Sequence, residues 1–152
     1  MLLISFIISI FALLFAGYLV FWIKKQDMGT AKMQEIYEAI KKGANAFLKR
    51  QYKTIGIMAV VLALVLYGVY ALNGKPEAGL QVSLAFLLGA FLSGFSGLVG
   101  MWISVRSNIR TASAAQTSLS KALTIALRAG AVSGITIVAL SLVGITGLYY
   151  IY

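Results

Sequence analysis

The sequence predicts an all-α, polytopic membrane protein with four transmembrane helices in two hairpins. Of its 152 residues, 61% are hydrophobic and 11% are charged. The mean hydropathy is +0.92, far from the balance of soluble domains. A membrane-spanning helix needs roughly 20 apolar residues, and four apolar runs approach or exceed that length. The predicted spans cover residues 2–23, 54–72, 80–105 and 122–152.

The first span, residues 2–23, carries no charge and is followed by Lys24 and Lys25. A secretory signal peptide would place its positive charge before the apolar run instead. We therefore expect a retained span with its amino terminus outside. Tyr18 and Trp22 then lie towards the cytoplasmic interface, where aromatic side chains are enriched.

A polar turn at residues 26–30 precedes a helix that Asp27 or Thr30 can cap. From Met33 onward, apolar residues recur at helical spacing between charged ones, which predicts an amphipathic cytoplasmic helix over residues 30–53. We expect this helix to lie against the membrane surface or neighbouring helices, with binding of an anionic ligand by its lysines as the alternative. Its pattern leaves open a direct continuation into the second span. Glu38 and Lys42 stand at the spacing of an ion pair.

The third and fourth spans each contain a row of small residues at four-residue spacing, which is typical of close helix contacts in lipid. We expect these rows to form the contact between the two spans. Sequence alone leaves residues 111–120 either helical or in the intervening turn. The rows are Gly89, Ser93 and Gly97 in the third span, and Ala122, Ala126, Gly130 and Gly134 in the fourth.

Two further features place the ends of the fourth span. Arg128 at the bilayer centre would cost about 2.5 to 3.5 kcal/mol, so we expect it near the interface with its charge reaching towards lipid phosphates. Tyr149, Tyr150 and Tyr152 form the expected aromatic anchor at the other end.

The basic residues predict the orientation in the membrane. All 13 lysines and arginines except Lys75 lie in or beside the segments that join span one to span two and span three to span four. The positive-inside rule then predicts both of these segments in the cytoplasm and both termini outside, N-out and C-out. The net charge of +9 does not indicate nucleic-acid binding, because so apolar a chain has no wide basic face to present in water.

The residues for catalysis are scarce. The chain has no cysteine and no histidine, which removes thiolate metal sites and the commonest catalytic base. Its four acids are Asp27, Glu35, Glu38 and Glu77, all outside the predicted spans. They provide neither a set of ligands for several magnesium ions nor an intramembrane proton carrier. We therefore predict no catalytic, cofactor-binding or metal-binding residue in this chain.

Three sequence blocks nevertheless resemble one family. GTAKMQEIYEAIKKGANAFLKRQYKTI, SGFSGLVGMWISVRSNIRTASAA and ALRAGAVSG look like the amino-terminal part of membrane-bound, ion-translocating inorganic pyrophosphatases. The resemblance implies a homodimeric pump of many more membrane helices. Such a pump couples hydrolysis of magnesium pyrophosphate to export of protons or sodium ions, with potassium as a further cofactor in part of the family. Its aspartate-rich motifs come from later helices of an inner ring.

By this resemblance the chain supplies outer-ring helices, with the lipid bilayer and the remaining helices of the pump as partners and the cell membrane as its location. It has no position matching the aspartate motifs, so no site residue is carried over. The alternative is a self-contained four-span scaffold or binding module without activity. A small transporter is disfavoured because the spans hold no acid. A reading frame that continues past Tyr152 into aspartate-rich segments would favour the pump.

Overall fold

The protein is a bundle of four long α-helices. The computed structural model describes residues 2–151, except for the side chain of Ile151, and contains no strand within that range. The helices are α1 (Leu2–Lys24), α2 (Ala31–Leu72), α3 (Pro76–Ala115) and α4 (Leu119–Ile151). All four are long and apolar enough to cross a membrane. The prediction of an all-α membrane protein with four spans is confirmed.

α2 is one continuous helix of 42 residues, about 63 Å long at 1.5 Å per residue. The amphipathic part therefore runs directly into the apolar part. Thr30 caps it by accepting a hydrogen bond from the backbone N–H of Met33 at 3.4 Å. Gly29, with φ of +73°, provides the left-handed turn before the cap, a conformation that only glycine adopts easily.

α3 begins and ends with sharp connections. Pro76 occupies its first turn, where a missing N–H costs nothing. At the other end the helix continues to Ala115, so residues 111–115 are helical and only residues 116–118 connect α3 to α4. Of the predicted aromatic anchor, Tyr149 and Tyr150 are strongly exposed, and Tyr152 lies outside the described residues.

The helices pack in the order α2, α3, α4, α1. α3 packs along both α2 and α4, while α1 packs on α4 and makes a small contact with α3. Over the described range α1 and α2 do not touch. The first predicted hairpin, α1 and α2, is therefore joined only through the chain, whereas α3 and α4 of the second hairpin pack against each other. α2 is left as an edge helix with one neighbour.

The packed centre lies where α1, α3 and α4 meet. Ile23, Ile103 and Val132 have no exposed surface there, and Leu19 and Ala129 are buried beside them. Because lipid tails are as apolar as these side chains, close van der Waals packing rather than removal from water stabilises such a cluster.

The small-residue rows do not form the α3–α4 contact, so that prediction is wrong. A Cβ added at Gly130, Gly134 or Gly89 would meet nothing within 4 Å, and one at Gly97 would meet Tyr52 of α2. Ala122 is the one described member of the α4 row that is buried, and the other buried residues of α4 are Ile125, Ala129, Val132, Thr136, Ala139, Gly144 and Thr146.

Helix geometry explains the error. At 3.6 residues per turn, a strict four-residue spacing rotates about 40° with every step. By Gly134 the row has therefore turned about 120° away from the buried Ala122. The close approaches of α3 and α4 are elsewhere: a Cβ on Gly144 would lie 2.6 Å from Cδ1 of Leu92, and one on Gly100 would lie 3.2 Å from Oγ of Ser133.

Candidate functional site at the basic end of the bundle

The α1–α2 and α3–α4 connections meet at one end of the bundle, which we call the basic end and define as residues 24–33 and 106–128. The Ser113 hydroxyl donates a hydrogen bond to Oδ2 of Asp27 at 2.9 Å. Nη2 of Arg110 donates to the carbonyl oxygen of Lys24 at 3.3 Å. The two segments that are rich in positive charge therefore share one surface.

Arg110 is the most unusual residue of this surface. It is only 7% exposed, and its Nη1 donates to the carbonyl oxygen of Arg106 at 2.6 Å. Its Nε is buried without a hydrogen-bond partner. Burial lowers the pKa of Arg110, Tyr37 opposes that shift and Arg106 adds to it, yet a guanidinium stays protonated in proteins. The result is a buried positive charge whose two hydrogen bonds go to backbone carbonyls.

Asp27 holds the α1–α2 connection against α3. Its exposed carboxylate accepts from Ser113 and from the backbone N–H groups of Gly29 and Met28, and Lys121 lies near enough to attract it. The Ser113 hydrogen bond is the largest of these effects, and together they hold the pKa of Asp27 below its usual value. Asp27 was one of two candidate helix caps in the sequence. The structure gives the cap to Thr30 and makes Asp27 a tertiary link.

A pocket of about 320 Å³ opens between these groups. Arg110, Ser113 and Lys121 line it, as do Asp27 and Thr30. Thr30 caps the first turn of α2, and Lys121 lies in the first turn of α4, so two helix amino termini adjoin the pocket. Helix amino termini carry partial positive charge from unpaired N–H groups.

Two tryptophans near the basic end contact arginines through the faces of their rings. Cζ of Arg128 lies 3.9 Å from the ring centre of Trp22, and Cζ of Arg106 lies 4.0 Å from that of Trp102. Arg128 of α4 thus rests on Trp22 of α1, and its expected place near the lipid phosphates stays a prediction. Nothing in the sequence indicated this pair, since the partners are far apart in the chain.

The other acids lie apart from the pocket. Glu35 pairs with Lys32 at 2.8 Å and Glu38 pairs with Lys41 at 3.0 Å, both on the exposed surface of α2. Lys42, the expected partner of Glu38, is not the one used. Glu77 stands in the first turn of α3, at the opposite end of that helix.

These positions do not fit a magnesium site. Magnesium needs near-octahedral oxygen coordination, usually from one or two carboxylates together with phosphate oxygens and water. Among residues 2–151, no group of three or more metal-binding side chains stands together. The one carboxylate in the pocket, Asp27, already accepts hydrogen bonds from Ser113 and two backbone N–H groups. We therefore assign no reaction step to a metal held by this chain.

Comparison with known proteins identifies the family. Residues 10–152 match the family model described as inorganic H+ pyrophosphatase. The K(+)-insensitive pyrophosphate-energized proton pump of Methanosarcina mazei is 42% identical over 144 residues, which cover 95% of this chain and 21% of that protein. The protein of the same description from Caldanaerobacter subterraneus subsp. tengcongensis is 46% identical over 154 residues, covering 96% and 21%.

A plant protein is similar too. The pyrophosphate-energized membrane proton pump 3 of Arabidopsis thaliana is 39% identical over 155 residues, covering 95% of this chain and 19% of that protein. The chain thus spans about a fifth of the length of the curated relatives that it matches, and it corresponds to their amino-terminal portion. The chain, with four helices long and apolar enough to cross a membrane, belongs to the inorganic H+ pyrophosphatase family.

Proposed function

We propose that this chain is the amino-terminal, structural part of a pump that uses pyrophosphate hydrolysis to move protons across a membrane. The observation that carries the proposal is the family match over residues 10–152. The names of the relatives support protons rather than sodium as the transported ion. Two of those names also support activity without potassium.

Within this proposal the helices described above support a catalytic part that lies in the rest of the polypeptide. Pyrophosphate with its magnesium ions needs many oxygen ligands in one place. The acids of this chain are dispersed over both ends of the bundle and the surface of α2. Substrate and metal are therefore held by the remaining four fifths of the pump, which assembles as the homodimer that the family resemblance implies.

The proposal also includes an orientation in the cell membrane. The basic end faces the cytoplasm, and the chain ends and the α2–α3 turn lie outside. The uneven distribution of lysine and arginine supports this direction. The meeting of the two basic connections at one end of the bundle supports it as well, since opposite ends would have required opposite compartments.

Proton uptake by inverted vesicles tests the function. Vesicles containing the complete gene product are given magnesium and pyrophosphate in buffer free of sodium and potassium, and internal acidification is followed with a pH-sensitive dye. We expect acidification that a protonophore abolishes and that vesicles without the protein lack. Hydrolysis without acidification, or transport that begins only when sodium is added, would contradict the proposal.

A further inference from the structure

Among residues 2–151, the charge of Arg110 has no ion-pair partner of opposite sign. Of its five N–H donors, two are used by the carbonyl oxygens of Arg106 and Lys24, and Nε has none. The ion pairs of the described residues join Lys32 to Glu35 and Lys41 to Glu38 only. Burying a charge without a counter-charge costs free energy, and Arg110 is only 7% exposed. Such a group points to an anion supplied from elsewhere.

The pocket next to Arg110 has the lining that an oxyanion needs. Lys121 contributes a second, exposed positive charge. The amino termini of α2 and α4 adjoin the pocket, whereas the Ser113 hydroxyl on its wall already donates to Asp27. Backbone N–H groups at a helix amino terminus and an arginine fork are both suited to phosphate oxygens. The volume of about 320 Å³ lies within the range of small-ligand sites.

Within the part of the chain that the structure describes, Asp27 is the one acidic side chain that lines the pocket, and its carboxylate already accepts hydrogen bonds. Its carboxylate accepts the Ser113 hydroxyl and two backbone N–H groups, and it feels the charge of Lys121. Arg106 lies close enough to add its positive charge to that of Arg110. The net charge around the pocket is therefore positive.

We propose that this pocket binds a phosphate group through Arg110, Lys121 and the backbone N–H groups at the adjoining helix amino termini, at a site separate from pyrophosphate hydrolysis. The phosphate belongs either to the head group of an anionic lipid or to free inorganic phosphate, since both present the same oxygen atoms. A lipid source fits the place of the pocket at the end of membrane-spanning helices, where basic pockets bind anionic head groups.

Binding to the complete gene product in a phosphate-free maltoside detergent, with a chelator removing magnesium, tests the proposal. One arm measures retention of phosphatidic acid by native mass spectrometry, with a diacylglycerol of the same acyl chains as the matched lipid without phosphate. The other arm measures binding of radiolabelled inorganic phosphate. Without magnesium a catalytic site for magnesium pyrophosphate contributes little, so failure here is distinguishable from failure of the pump function.

Three variants identify the pocket. Lys121→Gln removes an exposed charge with little risk to folding, Arg110→Lys keeps the charge but loses the planar fork, and Lys75→Gln at the opposite end is the matched control. We expect the first two to weaken binding of at least one probe roughly tenfold or more, as loss of charged hydrogen bonds does, and Lys75→Gln to bind like the parent. Weakening for phosphatidic acid alone identifies a lipid head group, and weakening for inorganic phosphate identifies the free ion.

Two results would overturn the proposal. One is equal binding of both probes by the parent, Lys121→Gln and Arg110→Lys. The other is no binding of either probe by the parent above background, which is the diacylglycerol signal in the lipid arm and the signal without protein in the phosphate arm.

Discussion

The Tyr52 hydroxyl donates a hydrogen bond to the carbonyl oxygen of Gly94 at 3.0 Å and also lies against Gly97, one helical turn further along α3. A Cβ on Gly97 would stand 2.7 Å from that hydroxyl oxygen, which is closer than a carbon and an unbonded oxygen approach. Gly97 therefore makes room for the tyrosine that joins the edge helix α2 to α3. The exposed glycines of α4 have no such role in this chain.

Adding a methyl group at Gly97 should destabilise the α2–α3 pair. We expect Gly97→Ala to displace the Tyr52 hydroxyl and lower the free energy of unfolding by about 0.5 to 1.5 kcal/mol, the contribution of one hydrogen bond, and to do so less in a Tyr52→Phe background that lacks the hydroxyl. Melting in detergent, in a double-mutant cycle, measures the coupling. Gly134→Ala is the matched control and should melt at or above the parent temperature. Equal effects of Gly97→Ala in both backgrounds would contradict the contact.

The Trp22–Arg128 pair should connect α1 to α4. We expect Arg128→Gln to lower stability by about 0.5 to 2 kcal/mol, the range of cation–π contacts, and Trp22→Leu to remove most of that effect. Arg106→Gln, next to Trp102 instead, is the control whose effect should add to that of Trp22→Leu. Strict additivity of Arg128→Gln with Trp22→Leu would show that the contact contributes nothing.

The helices themselves were predictable because each contains an apolar run of membrane length, which hydropathy reports directly. The face that each helix buries could not be predicted in the same way. In α4 small residues occur both in the buried set with Ala129 and in the exposed row with Gly130, so size alone cannot choose between them. The residues that line the pocket come from α3, α4 and the α1–α2 and α3–α4 connections. Partnerships such as Asp27 with Ser113 depend on how those elements pack, which no local pattern encodes.

Labelling of single cysteines should report the orientation in the membrane. The chain has no cysteine of its own, so Asn45→Cys on α2 and Lys75→Cys at the α2–α3 turn can be compared directly, and both positions are exposed. In intact cells we expect an impermeant maleimide to label position 75 and to spare position 45 until the cells are opened. Labelling of position 45 but not 75 in intact cells would reverse the orientation.

The link between Asp27 and Ser113 should depend on pH. Because hydrogen bonds hold the folded-state pKa of Asp27 below the usual value of an aspartate, its stabilising contribution is present above that usual value and is lost as pH falls through the lower folded-state pKa. The melting temperature of the parent should therefore exceed that of Asp27→Asn near neutral pH, with the difference shrinking in acid. Ser113→Ala should reduce the same difference at neutral pH. A gap between parent and Asp27→Asn that stays constant down to strongly acidic pH would contradict this role.

Phosphate release by the isolated 152-residue chain tests the central claim most directly, namely that this part of the pump is structural. The purified chain, shown by circular dichroism to be helical, is incubated with magnesium and pyrophosphate in the absence of soluble pyrophosphatase, beside the complete gene product. We predict release by the complete product and none by the chain above a heat-denatured control, because its dispersed acids cannot assemble the oxygen ligands that magnesium pyrophosphate requires. Release by the helical chain alone would contradict the account.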